Sequence, residues 1–276
     1  MNHKTLIVNQ HDNGLTEIIM NRPDVHNAFN EIVIQELTQT LLDLQNVSEL
    51  KLLTLRGSGK SFSAGADLNW MRSMANFSWD ENYQDSLALA TLMQTLHNFT
   101  RPTLAIVHGS TYGGGLGLVS ACDFAVASAN AKFCLSESKL GLIPAVISPY
   151  VVSAIGKRHA SRFFYSAEVF DATQAMNIGL IQEVYPEENF SEHVETFLNS
   201  ILSNGPQAIC ESKRLIENIA DKPINEELIR DTAAKIADIR ASAEGKEGVS
   251  AFLEKRKPDW NAAKNQALNL LGDDEV

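Results

Sequence analysis

A run of small residues between two predicted elements is the first feature of this sequence that could do chemistry. Tyr112-Gly113-Gly114-Gly115-Leu116-Gly117 follows the apolar segment Leu104–Val107 and precedes the helical residues Leu118–Cys122. Glycines allow the backbone to approach a ligand closely, and amides at the start of a helix lie at its positive end. A tight turn that needs glycine only for packing is the alternative.

A second loop of small residues occurs about 50 residues earlier. Ser61-Phe62-Ser63-Ala64-Gly65-Ala66-Asp67-Leu68 follows a predicted strand at 51–55 and leads into a helix. Alone, this loop is typical of a structural turn. If the two loops converge, however, two amides can bind one carbonyl oxygen and stabilise an enolate as charge develops on that oxygen.

Several other kinds of site are excluded by their motifs. A dinucleotide fingerprint needs G-x-G-x-x-G, but Gly115-x-Gly117 is followed by Ser120. Neither a phosphate-binding G-x-x-x-x-G-K-[ST] loop nor a G-x-S-x-G nucleophile elbow occurs. The histidines lack metal-ligand spacing, so the sequence predicts no metal.

The charge balance also restricts the class of protein. The 276 residues carry a formal net charge of −11 and are 44% hydrophobic, which is typical of a folded acidic protein. An acidic chain repels phosphate backbones, so we expect no nucleic-acid binding. One small basic cluster, Lys255-Arg256-Lys257, stands apart from this trend.

Short β-like runs alternate with helical patterns over the first two thirds of the chain. Strands are predicted at Thr16–Met20, Lys51–Leu55, Leu104–Val107 and Phe124–Ala127. One amphipathic helix is predicted from Val33, Leu37, Leu41 and Leu44, and another, starting at Ser78 or Asp80, from Leu89, Leu92, Met93 and Leu96. This alternation indicates an α/β architecture with crossover connections.

The last third of the chain has helical patterns only. Asp171 begins a short helix that Gly179 stops, and further helices are predicted at 190–203, from Pro206, at 225–239 and at 245–256. We therefore predict a boundary near residue 200, without a linker, between an α/β region at 1–200 and a helical region at 201–276.

Cysteine usage and the N-terminus bear on location. Cys122, Cys134 and Cys210 are an odd number without CxxC spacing, which favours buried reduced thiols in a cytoplasmic protein. Met1–Gln10 lacks the pattern of a secretory signal, and no run of about 18 apolar residues occurs, so no membrane span is predicted.

The order of the motifs resembles the crotonase (enoyl-CoA hydratase/isomerase) superfamily. The resemblance rests on the following segments, spread from Leu6 to Trp260: Asn21-Arg22-Pro23, Asn27-Ala28-Phe29, Phe62–Leu68, His108-Gly109 with Gly113–Gly115, Phe133–Glu137, Gly141–Pro144, Asp171-Ala172 and Gly179–Ile181. It implies a spiral of repeated ββα units followed by C-terminal helices that form oligomers.

The resemblance also implies which residues hold the acyl group. The family's two oxyanion amides match Ala66, in the Ala-Gly-Ala-Asp turn, and Gly114, the middle glycine of the triplet. Asp67, Leu68 and Gly113 lie in the same two motifs and are expected to border the substrate.

Further positions match the segments that bind coenzyme A. Backbone near Ala28 and Ala64 corresponds to positions that hold the adenine and the pantetheine arm. Phe252 or Lys255 corresponds to a tail segment that often completes the coenzyme A site of a neighbouring subunit, which would make the basic cluster a diphosphate site. A solvated helix end is the alternative.

The acid and base depart from the common family pattern. Two-carboxylate hydratases carry one glutamate shortly after the glycine triplet and another after the next strand; the second is Glu137, but the first falls on Gly117. With one carboxylate, Glu137 could take a proton from water while delivering one to Cα, which is hydration. Alternatively, it could carry a proton from Cα to Cγ, which is isomerisation of a Δ3-enoyl-CoA to the Δ2 form.

Local details look like one branch of the family. Ala145–Pro149 replaces the usual glycine-rich continuation after the proline. Together with Asp67–Met71, Gly115–Leu118 and Glu244–Gly248, this segment resembles bacterial methylglutaconyl-CoA hydratases of leucine breakdown, or the related isohexenylglutaconyl-CoA hydratases. Such substrates carry a distal carboxylate, for which Arg72 is a candidate partner.

The resemblance finally implies the partners. We expect an acyl-CoA thioester substrate, with coenzyme A as part of the substrate and no separate cofactor, and a homotrimer or homohexamer. A non-catalytic or RNA-binding relative is the alternative from another class, which the acidic charge disfavours.

Overall fold

The computed structural model describes residues 3–260, so the acidic end Gly272–Val276 lies outside the described residues. The chain separates into two compact units, one ending at Leu198 and the other starting at Asn199. This division falls within two residues of the boundary predicted near residue 200. The predicted role of the second region in oligomers stays a prediction.

Residues 3–260 contain nine strands and ten α-helices. The strands are β1 (Leu6–Gln10), β2 (Leu15–Met20), β3 (Leu52–Gly57), β4 (Thr103–Val107), β5 (Ser110–Tyr112), β6 (Phe124–Ser128), β7 (Lys132–Cys134), β8 (Phe170–Asp171) and β9 (Glu183–Tyr185). The helices are α1 (Glu31–Leu44), α2 (Leu68–Met74), α3 (Trp79–His97), α4 (Gly114–Ala121), α5 (Ser148–Ser166), α6 (Ala172–Asn177), α7 (Phe190–Leu202), α8 (Pro206–Ile219), α9 (Glu226–Ala241) and α10 (Ala243–Leu253).

The strands form two sheets. The larger has the order β1-β2-β3-β4-β6-β9, in which only the β1–β2 pair is antiparallel. The smaller has the order β5-β7-β8. Strand β4 lies in the larger sheet and β5 in the smaller, and α4 follows them. Strands β6 and β7 are divided between the sheets in the same way and are followed by α5, so the ββα unit is repeated as predicted.

Helix α1 shows how the pattern of apolar residues produces these elements. Val33, Leu37, Leu41 and Leu44 lie on one face and are all buried, as the spacing predicts. The side chain of Asn30 accepts a hydrogen bond from the Val33 amide at 3.0 Å and so caps the helix. Burial of one face and a cap at the start together determine this helix.

Helix α3 begins where one of the two predicted starts placed it. Ser78 and Glu81 form a reciprocal capping box, in which the Glu81 carboxylate accepts from the Ser78 amide at 2.7 Å. Ser78, rather than Asp80, is therefore the cap. The buried residues Leu92, Met93 and Leu96 all lie in the second half of the helix.

The topology brings the small-residue loops together. Strands β3 and β4 are parallel neighbours, so the segments that follow them leave the same edge of the large sheet. Strands β5 and β7 are also parallel, with Tyr112 opposite Cys134. The glycine triplet after β5 and the segment with Glu137 after β7 consequently emerge side by side.

The second unit is helical, as predicted. Its helices are capped by side chains: Asn225 accepts from the Leu228 amide at 2.9 Å, and Glu244 accepts from the amides of Gln207 and Ala208 at the start of α8. Helix α10 ends at Leu253, three residues before the predicted end.

Two further expectations concern cysteines and membranes. All three cysteines are buried, as predicted for structural thiols. Over residues 3–260, no helix is both long enough and apolar enough to cross a membrane.

Candidate active site

The two small-residue loops pack directly against each other. The Ser63 amide donates to the Ser110 carbonyl at 3.1 Å, and the Tyr112 amide donates to the Ser63 carbonyl at 2.9 Å. Gly65 lies in the left-handed region with φ of +91°, and a Cβ there would stand 3.3 Å from the Tyr112 carbonyl oxygen. Glycine at this position therefore permits the close approach of the two loops.

The Ala66 amide is available for a ligand. Phe29 donates its amide to Gly65 at 2.7 Å and accepts from Asp67 at 2.8 Å, so the backbone of Ala66 between them faces the other way. Within residues 3–260 the Ala66 N–H has no hydrogen-bond acceptor, and the residue is exposed. It is an oriented donor at the surface of the unit.

The Gly114 amide is a second available donor. Gly114 is the first residue of α4, where a helix leaves its amides without internal partners, and its N–H finds no acceptor in the described part of the chain. Gly113 precedes it with φ of +49° and donates its own amide to Cys134 at 3.0 Å. That bond, together with the parallel β5–β7 pair, sets the start of the helix.

Phe29 connects the two donors. Its backbone bonds hold the Gly65–Asp67 turn, while its ring would stand 3.3 Å from a Cβ at Gly114. Phe29 is 2% exposed. In the sequence Phe29 stands out only as part of a motif, because its positioning role depends on contacts across 36 and 85 residues of chain.

Asp67 is engaged by its own surroundings. Its carboxylate caps α2 by accepting from the Asn69 amide at 2.8 Å, and it pairs with Arg22 Nη2 at 2.8 Å. Burial opposes its ionisation, but the hydrogen bonds from Arg22 and Asn69 and the charge of Arg22 outweigh burial and lower the pKa of Asp67. Arg22 also donates to the Ala28 carbonyl at 2.6 Å, so it ties the 22–28 segment to the turn that carries Ala66.

The predicted coenzyme A positions Ala28 and Ala64 lie on segments joined by hydrogen bonds. The Ala64 amide donates to the His26 carbonyl at 2.9 Å, and the Ala28 amide donates to Val25 at 3.0 Å. Ala28 is buried and Ala64 is half-buried.

Glu137 reaches the glycine triplet from the other side. A Cβ at Gly113 would stand 3.3 Å from Glu137 Oε1, which places the carboxyl group next to the residue that precedes Gly114. Its Oε2 is buried without a hydrogen-bond partner in the described chain. Burial raises the pKa of Glu137, against its own backbone N–H, and so favours the neutral, proton-carrying form.

The space beside Gly117 is occupied by an apolar side chain. A Cβ at Gly117 would stand 2.9 Å from Ile147 Cβ, closer still to Ile147 Cγ2, and 3.2 Å from Met93 Cε. Ile147 is 3% exposed and Met93 is fully buried. The glycine at 117 and the isoleucine at 147, which the sequence shows as two separate departures from the family, are therefore one packing arrangement.

Leu68 and Arg72 lie one helical turn apart on α2. Leu68 is 70% exposed, and Arg72 is exposed with Nη1 donating to Asn69 Oδ1 at 2.9 Å. The guanidinium therefore keeps donors for a further partner.

Phe252 and Lys255 belong to the second unit. Phe252 is 82% exposed at the end of α10, and Lys255 follows it with a left-handed φ of +55°. The neighbouring Arg256 is bound by Glu247, and the hydrogen bond from Arg256 lowers the pKa of Glu247 to about 2. Of the predicted basic cluster, Arg256 is thus already engaged by acidic side chains.

One other cavity can be compared with this site. A groove of about 680 Å³ between α1 and α3 is lined by Phe77, Asp85 and other residues, but by none of Ala66, Gly114 and Glu137. Over residues 3–260, no group of three or more histidine, cysteine or acidic side chains is placed to hold a metal ion.

Two amides without an acceptor in the described chain, beside a half-buried glutamate, suit the polarisation of a carbonyl and a proton transfer at the neighbouring carbon. The chain belongs to the enoyl-CoA hydratase/isomerase family, whose model matches residues 10–263. It is accordingly an enzyme of the enoyl-CoA hydratase/isomerase type, and its substrate is an acyl-CoA thioester.

Individual relatives support this assignment. A crystal structure from Legionella pneumophila that carries the name enoyl-CoA hydratase/isomerase (crotonase) superimposes with a TM-score of 0.90, at 47% identity over 93% of this chain and 98% of that one. The crotonyl-CoA hydratase of Syntrophomonas wolfei is 30% identical over 92% of this chain and 97% of its own length. The 2,3-dehydroadipyl-CoA hydratase of Escherichia coli is 30% identical, covering 88% and 93%.

Proposed function

We propose that this enzyme hydrates a 2-enoyl-CoA, with the thioester oxygen held by the amides of Ala66 and Gly114 and with Glu137 as the proton carrier. One observation carries the proposal: the carboxyl group of the half-buried Glu137 lies against Gly113, the residue before the available Gly114 amide. A thioester bound by that amide would therefore present its Cα close to the carboxyl group.

The chemistry follows from this arrangement. When water adds to Cβ, negative charge develops on the thioester oxygen, where two amide donors stabilise it more than they stabilise the ground state. The carboxyl group of Glu137 then supplies a proton to Cα. Its Oε2 is buried without a hydrogen-bond partner in the described chain, so a bound substrate or water molecule would satisfy an oxygen that the protein leaves unbonded.

The proposed substrate is a branched dicarboxylic enoyl-CoA such as 3-methylglutaconyl-CoA, or the related isohexenylglutaconyl-CoA. Arg72 is exposed one turn beyond Leu68 and keeps guanidinium donors that fit a distal carboxylate. The E. coli relative is named for a dicarboxylic enoyl-CoA, so the family accommodates such acyl groups.

Isomerisation of a Δ3-enoyl-CoA is the second candidate. A specific observation favours it: Ile147 fills the space beside Gly117, so the chain offers no second carboxyl group there. Moving a proton from Cα to Cγ needs only one carrier, which Glu137 supplies.

Coenzyme A and the assembly complete the proposal. Ala28 and Ala64 would hold the adenine and pantetheine arm, and Phe252 or Lys255 would contact the coenzyme A of a neighbouring subunit. Apolar side chains on α8–α10 support a homotrimer or homohexamer, because they are exposed in the single chain: Ile216, Ile229, Ile236, Val249 and Phe252. Sedimentation of the full chain would measure this state. A cytoplasmic location is part of the same proposal.

The test is a comparison of substrates. The protein is incubated with 3-methylglutaconyl-CoA, crotonyl-CoA and a 3-enoyl-CoA, and the products are separated by chromatography. Hydration of 3-methylglutaconyl-CoA is expected, and turnover of the 3-enoyl-CoA alone would instead establish the isomerase. Glu137→Gln is expected to lose turnover while it still binds the thioester, and unchanged turnover would refute its role.

A further inference from the structure

Hydration of a double bond needs two proton transfers, one from water and one to Cα. Within residues 3–260, the side chains beside the glycine triplet provide for one of them. Glu137 lies beside Gly113 and serves one transfer. A side chain at position 117 would serve the other, because Cα–Cβ bonds tilt toward the start of a helix and would direct it back over Gly113 and Gly114.

That second position is closed in this chain. Ile147 and Met93 surround the place where a Cβ of residue 117 would stand, and both side chains are buried. An aliphatic group and a thioether cannot take a proton from water. The side chains that stand where residue 117 would carry its own are therefore unable to activate the nucleophile.

The carboxyl group of Glu137 is placed for the transfer to Cα. Burial raises its pKa and so favours the neutral acid, the form that donates a proton. The unpartnered Oε2 is where that proton would be offered. A separate acceptor for the water proton is needed.

We infer that the distal carboxylate of the substrate itself accepts the proton from the attacking water, in place of a second enzyme carboxylate. This inference rests on the proposed function, since it needs a carboxylate on the group attached to Cβ. When one methylene joins that carboxylate to Cβ, its oxygen, the water proton and the water oxygen close a six-membered ring with Cβ. The acceptor is then held at the reacting carbon by the substrate's own covalent structure.

The atoms and electrons balance. An O–H bond of water breaks and its proton goes to the substrate carboxylate, while the water oxygen forms a bond to Cβ. The π electrons of the double bond move to the thioester oxygen, where the amides of Ala66 and Gly114 hold the enolate. The enolate then takes the proton of Glu137 at Cα, which leaves Glu137 ionised and the product a carboxylic acid, and both exchange protons with solvent. The net change is the addition of one water molecule.

The substrate class is therefore defined by an ionised carboxylate one methylene from Cβ, in addition to the branching of the acyl chain. Enoyl-CoAs with a CH2–COO⁻ group on Cβ should react, and those with the same branching but no ionised carboxylate should bind and react poorly. If the carboxylate served only as a handle for Arg72, neutralising it would instead raise KM and leave kcat unchanged.

The test compares three thioesters with the wild-type enzyme: 3-methylglutaconyl-CoA, its methyl ester at the distal carboxyl group, and 3-methylcrotonyl-CoA. We expect kcat for the ester and for 3-methylcrotonyl-CoA to be about 10²- to 10⁴-fold below that of the diacid, the usual contribution of a general base. Equal kcat for the ester and the diacid would overturn this inference alone. No hydration of the diacid would overturn the proposed function, and this inference with it.

A pair of variants tests the inference by restoring the missing group. Ile147→Gly opens the space, and Gly117→Glu combined with Ile147→Gly adds a carboxylate to it. The double variant is expected to hydrate the methyl ester at least tenfold faster than Ile147→Gly does, whereas Gly117→Gln combined with Ile147→Gly, which matches it in size, should not. Equal rates for the Glu and Gln variants, with thioester binding retained, would overturn the inference. If the double variants fail to fold, the substrate series decides.

Discussion

A single methyl group added at Gly117 would report whether Ile147 occupies the position of the missing carboxylate. In Gly117→Ala the new Cβ would lie 2.9 Å from Ile147 Cβ and closer to its Cγ2, well inside van der Waals contact, so the isoleucine must move. Ile147 is 3% exposed and the neighbouring Met93 is fully buried, which leaves little room for this movement.

The magnitude comes from two opposing terms. Overpacking of a buried contact costs about 1 to 3 kcal/mol, while replacing glycine by alanine inside a helix gains up to about 1 kcal/mol. Gly117→Ala should therefore lower the free energy of unfolding by about 1 kcal/mol. In an Ile147→Gly background the clash disappears, since only the flexible end of Met93 remains near, and the same change should stabilise by about 1 kcal/mol. The coupling between the two positions is then about 2 kcal/mol.

Urea unfolding of the wild type, the two single variants and the double variant, at one protein concentration, measures this coupling. As a control, Gly117→Ala is combined with Ile155→Ala, a buried position two turns further along α5 whose effect should simply add. A coupling between Gly117 and Ile147 below about 0.5 kcal/mol, the usual error of additivity, would refute the packing argument and the mechanism built on it.

Three further perturbations address the rest of the site. Glu137→Gln should reduce turnover about 10²- to 10⁴-fold. Burial raises the pKa of Glu137, so the folded wild type loses stability as the pH rises from the ordinary carboxyl range through that raised pKa. The melting temperature of Glu137→Gln, measured relative to wild type, should therefore increase with pH. A difference that stays constant with pH would contradict this. Arg22→Met leaves Asp67 without its cation and should lower the free energy of unfolding by about 1 to 3 kcal/mol in urea titrations, more than Arg22→Lys does; equal losses would count against the ion pair. Gly65→Ala places a Cβ at positive φ and 3.3 Å from the Tyr112 carbonyl, so kcat should fall with little change in thioester affinity, and wild-type kinetics would show that this turn does not position the amide.

Local patterns predicted the longer elements well. Helix α1 and the second half of α3 follow from apolar spacing, because each buries one face of the helix. Strands β2, β3, β4 and β6 follow from short apolar runs, since most of their residues are buried on both faces of the sheet. The family resemblance is confirmed, and with it the spiral of ββα units. The Ser78 cap is likewise readable from its capping box.

Short elements and long-range contacts were not readable in this way. Strands β5, β7 and β8 have two or three residues each and exist because they pair with one another, so no local period marks them. The kinked helix α5, interrupted at Gly156 with φ of +72°, was not predicted at all. Arg22 acts on the site by reaching Asp67, 45 residues away.

The sequence by itself determined the two small-residue loops, the single glutamate and, through the resemblance, the class of enzyme. Only the tertiary structure decided that the Ala66 and Gly114 amides lack protein acceptors in the described chain, because an amide's availability depends on every segment packed around it. The tertiary structure also decided which side chain occupies the space beside Gly117. A glycine where a glutamate is usual reads as a missing group, but Ile147, thirty residues later, fills the space, since side chains distant in sequence compete for the same volume.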